Sequence, residues 1–321
     1  MITEKEYIAY INKALSEIPY PSRPAGLYEP IAYTLDCGGK RIRPMLMLAV
    51  TEALGADRSD AINQAIGLEM FHNFTLLHDD VMDRADVRRG RPTVHVKWNE
   101  STAILSGDAM LTIASQYMGR GCGDKLAAVL DLFNTTAIEI YEGQQYDMDF
   151  ENRDDVTAEE YVEMIRLKTS VLLGCACRMG ALIAGASEPV QKAFYDYGTY
   201  LGLAFQLQDD WLDTYGDPAV FGKKIGGDIL NDKKTLLLIT ALNRADDGQK
   251  ECLTSLFGTR GDDKIARVMS IYDALGVEGT CREMINKYSE MAVSCLDSIG
   301  LSESAHDFFV NIVKQSLNRK S

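Results

Sequence analysis

Prolines are scarce: 8 in 321 residues, about half the usual share. The scarcity fits a helix-rich chain with few strand turns. Runs of alternating β-branched residues are nearly absent, which argues against a β-sandwich or barrel. Basic residues are in deficit, with Lys plus Arg at 33 against Asp plus Glu at 47, a formal charge of −14. A nucleic-acid binder needs a basic face, so that class is excluded, although a local cationic cluster for a small anion is not. The 7 cysteines (Cys37, Cys122, Cys175, Cys177, Cys252, Cys281, Cys295) are odd in number and scattered. There is no CxxC pair and no Cys/His zinc spacing, so buried thiols in a reducing compartment are expected. No long apolar run exists either. Val171 to Ala186 is interrupted by Arg178 and glycines and is too short for a membrane span. The first residues, Met1-Ile-Thr-Glu-Lys-Glu, lack the apolar core of a signal peptide, and a cytoplasmic location follows as the expectation. Linkers, low-complexity tracts and repeats are missing, so residues 1–321 read as a single domain.

What is present is helical periodicity. Asp60 to Asp83 reads as one long helix with Ile66, Met70, Phe74, Leu77 and Val81 on one stripe. Thr157 and Glu160 make a capping box opening a second helix, where Tyr161, Met164, Ile165 and Lys168 recur at helical spacing. Leu201 to Leu212 lies in a third, and polar loops are expected near 84–92, 150–156, 214–227 and 258–263. The fold class predicted is all-α, one helical bundle.

Two constellations carry chemistry. Asp79-Asp80-Val-Met-Asp83 ends the long helix, and Asp79 and Asp83 share a face at i, i+4. Like charges there repel, and a divalent cation removes the repulsion. Hard carboxylate oxygens suit Mg²⁺, which fills its octahedron with water and phosphate oxygens. An EF-hand is excluded because its alternating aspartates and central glycine are missing. Asp209-Asp210-Trp-Leu-Asp213 repeats the DDxxD spacing late in another apolar helix. A solvated acidic helix end explains one pentad, but explains two poorly. Basic groups accompany them. Arg84, Arg88, Arg89 and Arg91 follow the first pentad around Gly90 and Pro92, and guanidinium forks match phosphate oxygens. Gly38-Gly39-Lys40-Arg41-Ile42-Arg43-Pro44 offers a second candidate cradle, against an ordinary basic turn. Lys168 on an apolar stripe is costly unless it is paired, snorkels or meets a ligand. Gln206 shares the face of Asp209, His72 shares that of Asp79, and Lys223 and Lys233 flank the segment after the second pentad. His78, His95 and His306 read as structural.

These motifs resemble the trans-isoprenyl diphosphate synthases, the polyprenyl synthetase family. The matching residues run in the family's order: GGKRxRP at 38–44, DDxxD with RRG at 79–90, and Gly143-Gln-Gln-Tyr-Asp147. Lys168-Thr169, Phe205-Gln206 with the second DDxxD at 209–213, and GKxxGxD at 222–228 before Lys233 complete the set. The resemblance implies an all-α bundle around a central cavity, usually a homodimer, joining isopentenyl diphosphate to an allylic diphosphate (dimethylallyl, geranyl or farnesyl). It implies three Mg²⁺ per site, two on Asp79 and Asp83 and one on Asp209, with Asp80, Asp210 and Asp213 as outer ligands. Arg88, Lys168, Lys223 and Lys233 would hold the allylic diphosphate; Lys40, Arg43, His72 and Arg89 would hold isopentenyl diphosphate. Thr169 and Gln206 would face the developing cation.

Product length is set upstream of the first pentad. Small Thr75 lies about 40° round the wheel from Asp79, Phe71 about 80° and Phe74 about 140°. The family pattern points to Phe74 as the floor and to geranylgeranyl diphosphate, whereas the wheel points to Phe71. Farnesyl diphosphate or a longer chain are the alternative products. Competing classes are a terpene cyclase, which needs no second cradle, an acidic cation-binding structural protein, which needs no Lys168, and a non-catalytic partner subunit, which need not keep every site residue. The tail Arg319-Lys320 reads as a frayed polar end.

Overall fold

The computed structural model describes residues 1–217 and 225–317, and they are predominantly helical. The only strands among them are Val87–Arg88 and Arg91–Pro92, an antiparallel hairpin inside the predicted 84–92 loop. Arg89 and Gly90 hold φ of 52° and 76°, the backbone of a two-residue hairpin turn. No periodicity announces strands this short. The chain separates into two compact units, residues 1–134 with 175–194 and residues 135–174 with 195–321.

In the first unit α1 (Glu4–Ser16) opens with a capping box between Thr3 and Glu6 and buries Tyr7, Ile11 and Leu15 along one stripe. Helix α2 is Ala25–Asp36 and α3 is Ile42–Ala53. From Pro44 to Thr51 every residue of α3 is buried, so this helix is wrapped on all sides. Helix α4 (Ile62–Met82) matches the long predicted helix, apart from a 3₁₀ entry at Arg58–Ala61. It packs along α6 (Glu100–Met118), whose Ala103, Ser106, Gly107, Met110 and Ala114 recur at helical spacing and are buried. Ala103, Ser106, Gly107 and Ala114 are small and let the two helices approach closely. The one-turn α5 (Val94–Lys97) links the hairpin to α6.

Helix α7 runs from Leu126 to Phe150, α9 from Val171 to Ile183 and α10 from Glu188 to Tyr215. In the second unit α8 (Ala158–Ile165) starts at the predicted capping box of Thr157 and Glu160. It does not continue as an α-helix to Lys168, because Arg166–Ser170 is a π turn. The core of this unit gathers Tyr161, Ile165, Leu203, Leu207, Leu237, Ile239, Val277 and Ile285. The last helix, Glu303–Leu317, is docked by Tyr197, whose hydroxyl donates to the Phe309 carbonyl at 2.9 Å. Lys264, buried at 3% exposure, is neutralised by Asp232 at 2.6 Å and caps two carbonyls. No described helix is long and apolar enough to cross a membrane, and no disulfide links the described cysteines.

Candidate active site

The first unit carries one half of the predicted residues. Gly38 and Gly39 hold φ of 78° and 141°, a conformation that side chains resist, and they turn the chain into α3. This turn divides the three cations of its motif. Lys40 is exposed. Arg41 is buried, with Nη1 on Glu69 Oε1 at 2.6 Å, Nη2 on the Leu35 carbonyl at 2.7 Å and Nε on Asn12 at 3.1 Å. Asn73 donates to the same Glu69 oxygen at 3.1 Å. Arg41 is therefore a structural clamp over α1, α2 and α4. Removing either partner of such a buried pair costs about 3–5 kcal/mol. Neither Glu69 nor Asn73 stood out in the sequence, since both sit inside an apolar helix.

Arg43 meets His72, with Nη1 to Nε2 at 3.2 Å. A guanidinium only donates, so Nε2 accepts and the imidazole is neutral. Burial holds His72 well below its ordinary value, and the charges of Arg43, Arg89, Arg88 and Arg41 add to it. Burial lowers Arg43 to about 10, and its Nε is buried without a hydrogen bond among the described residues. Arg89 donates through Nη1 to the Gly38 carbonyl, bringing the hairpin onto the glycine turn. Lys40, Arg43, His72 and Arg89 are thus gathered around one turn.

The first pentad closes α4, with Asp83 as the C-cap residue, exposed, and Asp79 half-buried. Carboxylates at a helix C-terminus oppose its dipole, which a bound cation relieves. Asp80 faces inward at 5% exposure and accepts from Arg88 Nε at 2.7 Å. Burial raises the Asp80 carboxyl while Arg88 pulls it down. A narrow cleft lies here, lined by Cys37, Asn73, Asp80, Arg88 and Arg89 among others. Farther up α4, Phe71 and Phe74 are buried, with rings 5.6 Å apart. Phe133 meets Phe71 edge-on at 5.2 Å and His78 meets Phe74 at 4.8 Å. Thr75, beside them, donates its hydroxyl to the His72 carbonyl at 2.9 Å. His78, read as structural, is the support behind Phe74.

The second unit carries the other half. Gly143 on α7 lies against the π turn: a Cβ there would come within 2.3 Å of the Lys168 nitrogen. That approach sets Lys168 Nζ on Asp147 Oδ2 at 2.5 Å, so the lysine on the apolar stripe is paired. Asp147 belongs to the GQxxD motif, and only the fold joins it to Lys168, 21 residues away. Thr169, on the same π turn, donates to Gln206 Oε1 at 3.2 Å. Gln206 Nε2 donates to Asp210 Oδ1 at 3.1 Å, and Tyr161 donates its phenol proton to Asp210 Oδ2. Burial, with Asp228 nearby, pushes the Asp210 carboxyl up to about 7, against the hydrogen bonds from Tyr161 and Gln206. Asp209 and Asp213 are half-buried, and Asp213 Oδ2 accepts the Asp228 backbone N–H at 2.9 Å. Lys233 is exposed just past the short helix Gly227–Leu230, its N–H on the Asp228 carbonyl at 3.0 Å. Lys223 and the tail Arg319-Lys320 lie outside the described residues. Among the described residues no three Asp, Glu, His or Cys side chains form a ready-made metal cage. Carboxylates presented singly or in pairs, all with oxygen donors, fit Mg²⁺, which takes much of its shell from water and phosphate.

The all-α fold and these residues define a trans-prenyltransferase. The family model of polyprenyl synthetase matches residues 24–275, and the chain belongs to that family. It is 41% identical over 242 residues to a geranylgeranyl diphosphate synthase of Methanosarcina mazei, covering 75% of each chain. It is 38% identical over 255 residues to a geranylfarnesyl diphosphate synthase of Natronomonas pharaonis, covering 74% of this chain and 75% of the relative. A solved geranylgeranyl pyrophosphate synthase is 42% identical and superimposes with a TM-score of 0.94 over 100% of both chains.

Proposed function

We propose that this chain joins isopentenyl diphosphate to dimethylallyl, geranyl and farnesyl diphosphates, with geranylgeranyl diphosphate as the end product. The observation that carries the reading is the completeness of the set: both pentads and the cationic turn with its neutral His72 are retained in a member of the polyprenyl synthetase family. In this reading residues 1–321 work as one isoprenoid synthase domain, a homodimer in the cytoplasm.

Asp79 and Asp83 would hold two Mg²⁺ and Asp209 a third, with Asp80, Asp210 and Asp213 as outer ligands. Bound magnesium supplies Lewis acidity toward the diphosphate leaving group. Arg88, Lys168, Lys223 and Lys233 bind that diphosphate and stabilise its charge as the allylic C–O bond breaks. Lys168 rests on Asp147 and Arg88 on Asp80 in the free protein, so each cation is held in place beforehand. Lys40, Arg43, Arg89 and neutral His72 hold isopentenyl diphosphate, with its alkene toward the allylic carbon. Thr169 and Gln206 turn oxygen dipoles to the developing cation. The new C–C bond leaves a tertiary cation, and its proton passes to the departed diphosphate. Buried Phe71 and Phe74 bound the growing tail and exclude water.

Diphosphate release from geranyl diphosphate tests the reading. It is expected to require both Mg²⁺ and isopentenyl diphosphate. Release without isopentenyl diphosphate points to a cyclase, and no release with any primer to a partner subunit.

A further inference from the structure

Four side chains of the second unit form one hydrogen-bonded chain. Tyr161 donates to Asp210 Oδ2, Gln206 Nε2 donates to Asp210 Oδ1 at 3.1 Å, and Thr169 Oγ1 donates to Gln206 Oε1 at 3.2 Å. Tyr161 and Asp210 are buried at 3% and 5% exposure. Tyr161 comes from α8, Thr169 from the π turn, and Gln206 and Asp210 from successive turns of α10.

The chain has one direction. Asp210 accepts at both oxygens, from the Tyr161 hydroxyl at one and from the Gln206 amide N–H at the other. An amide that turns its NH₂ to Asp210 turns its oxygen to Thr169. A hydroxyl whose one proton is bound by that oxygen has only lone pairs left for anything else it meets. The direction of the Thr169 oxygen is thus decided at the buried end, at Asp210 and Tyr161. An α-helical continuation would shift Thr169 around the helix, so the π turn is part of the arrangement.

We infer that Tyr161 is a positioning residue for prenyl transfer: with Gln206 it occupies both oxygens of Asp210, and so fixes the amide of Gln206 and the hydroxyl of Thr169 in the orientation that presents oxygen lone pairs to the allylic cation. This rests on the reading of Thr169 and Gln206 as the dipoles facing that cation. Without the phenol proton one oxygen of Asp210 is left buried and unsatisfied. The carboxylate then turns to recover a donor, and the amide loses its unique orientation.

The test is a cycle of Tyr161→Phe and Thr169→Val. Tyr161→Phe is expected to lower kcat about tenfold, the scale of one hydrogen bond to a charged group, with KM for both diphosphates unchanged within about twofold. In the Thr169→Val background the same change should cost less than about twofold, because the chain no longer ends on a hydroxyl. Equal losses in both backgrounds, or an unchanged kcat in Tyr161→Phe, would overturn the inference. A readout on the substrate-free protein stands apart from catalysis. The Gln206 carboxamide protons should exchange slowly in the wild type and fast in Tyr161→Phe, and equal exchange contradicts the chain. If Thr169→Val alone leaves kcat unchanged, the reading of Thr169 fails, and the exchange result decides the chain by itself.

Discussion

The two DDxxD pentads share their spacing but differ in what surrounds them. Each turns its second aspartate inward, Asp80 and Asp210, both at 5% exposure. The residue after Asp79 or Asp209 is rotated about 100° on the helix, so it faces the core when the i, i+4 pair faces out. Asp80 is met by a cation, Arg88, from the hairpin that follows. Asp210 is met by neutral donors, Tyr161 and Gln206, and its carboxyl climbs to about 7. The first pentad ends its helix, with Asp83 as the cap, whereas α10 runs two residues past Asp213 to Tyr215, and Asp213 is held by Asp228. One motif thus serves two tasks. The first pentad places a guanidinium, and the second orients an amide and a hydroxyl.

The strongest way to break this comparison is to separate outward from inward aspartates. Asp79→Ala should lower turnover about a thousandfold or more with little change in melting temperature. Asp80→Asn, which weakens the hold on Arg88, should lower kcat/KM for the allylic diphosphate only about 10- to 100-fold. Equal losses at the two positions would end the distinction. The smallest effect concerns His72. Its folded-state value lies well below that of the unfolded chain, about 6.5, so only the unfolded chain takes up this proton as pH drops below that point. Its contribution is therefore a stability loss in acid, of about 1.4 kcal/mol per pH unit, absent above pH ~7. Denaturant titrations of wild type and His72→Asn between pH 5 and 7 should differ by that slope, and parallel curves would show that His72 is charged in the fold.

Much of this was legible beforehand. The i, i+4 spacing set Asp79 and Asp83 apart from the buried Asp80, and Thr157 and Glu160 marked the start of α8. What was not legible came through contacts far apart in sequence. Tyr161 looked like one more apolar-stripe residue, yet its hydroxyl reaches Asp210, 49 positions away. Arg41 looked interchangeable with Lys40 and Arg43 until Glu69, 28 positions on, claimed it. The π turn interrupts a periodic pattern that α8 would otherwise continue. The competing floors, Phe71 and Phe74, lie in ring contact in one stack with Phe133 and His78. Position on a helical wheel does not divide two rings that pack on each other.

The most direct measurement is the size of the product. Purified protein with Mg²⁺, isopentenyl diphosphate and each allylic diphosphate should give a single twenty-carbon alcohol after dephosphorylation, and Phe74→Ala should extend it by one or more isoprene units. A fifteen-carbon stop, or a ladder of longer products from the wild type, would contradict geranylgeranyl diphosphate as the end product, and no condensation with any primer would contradict the synthase reading itself.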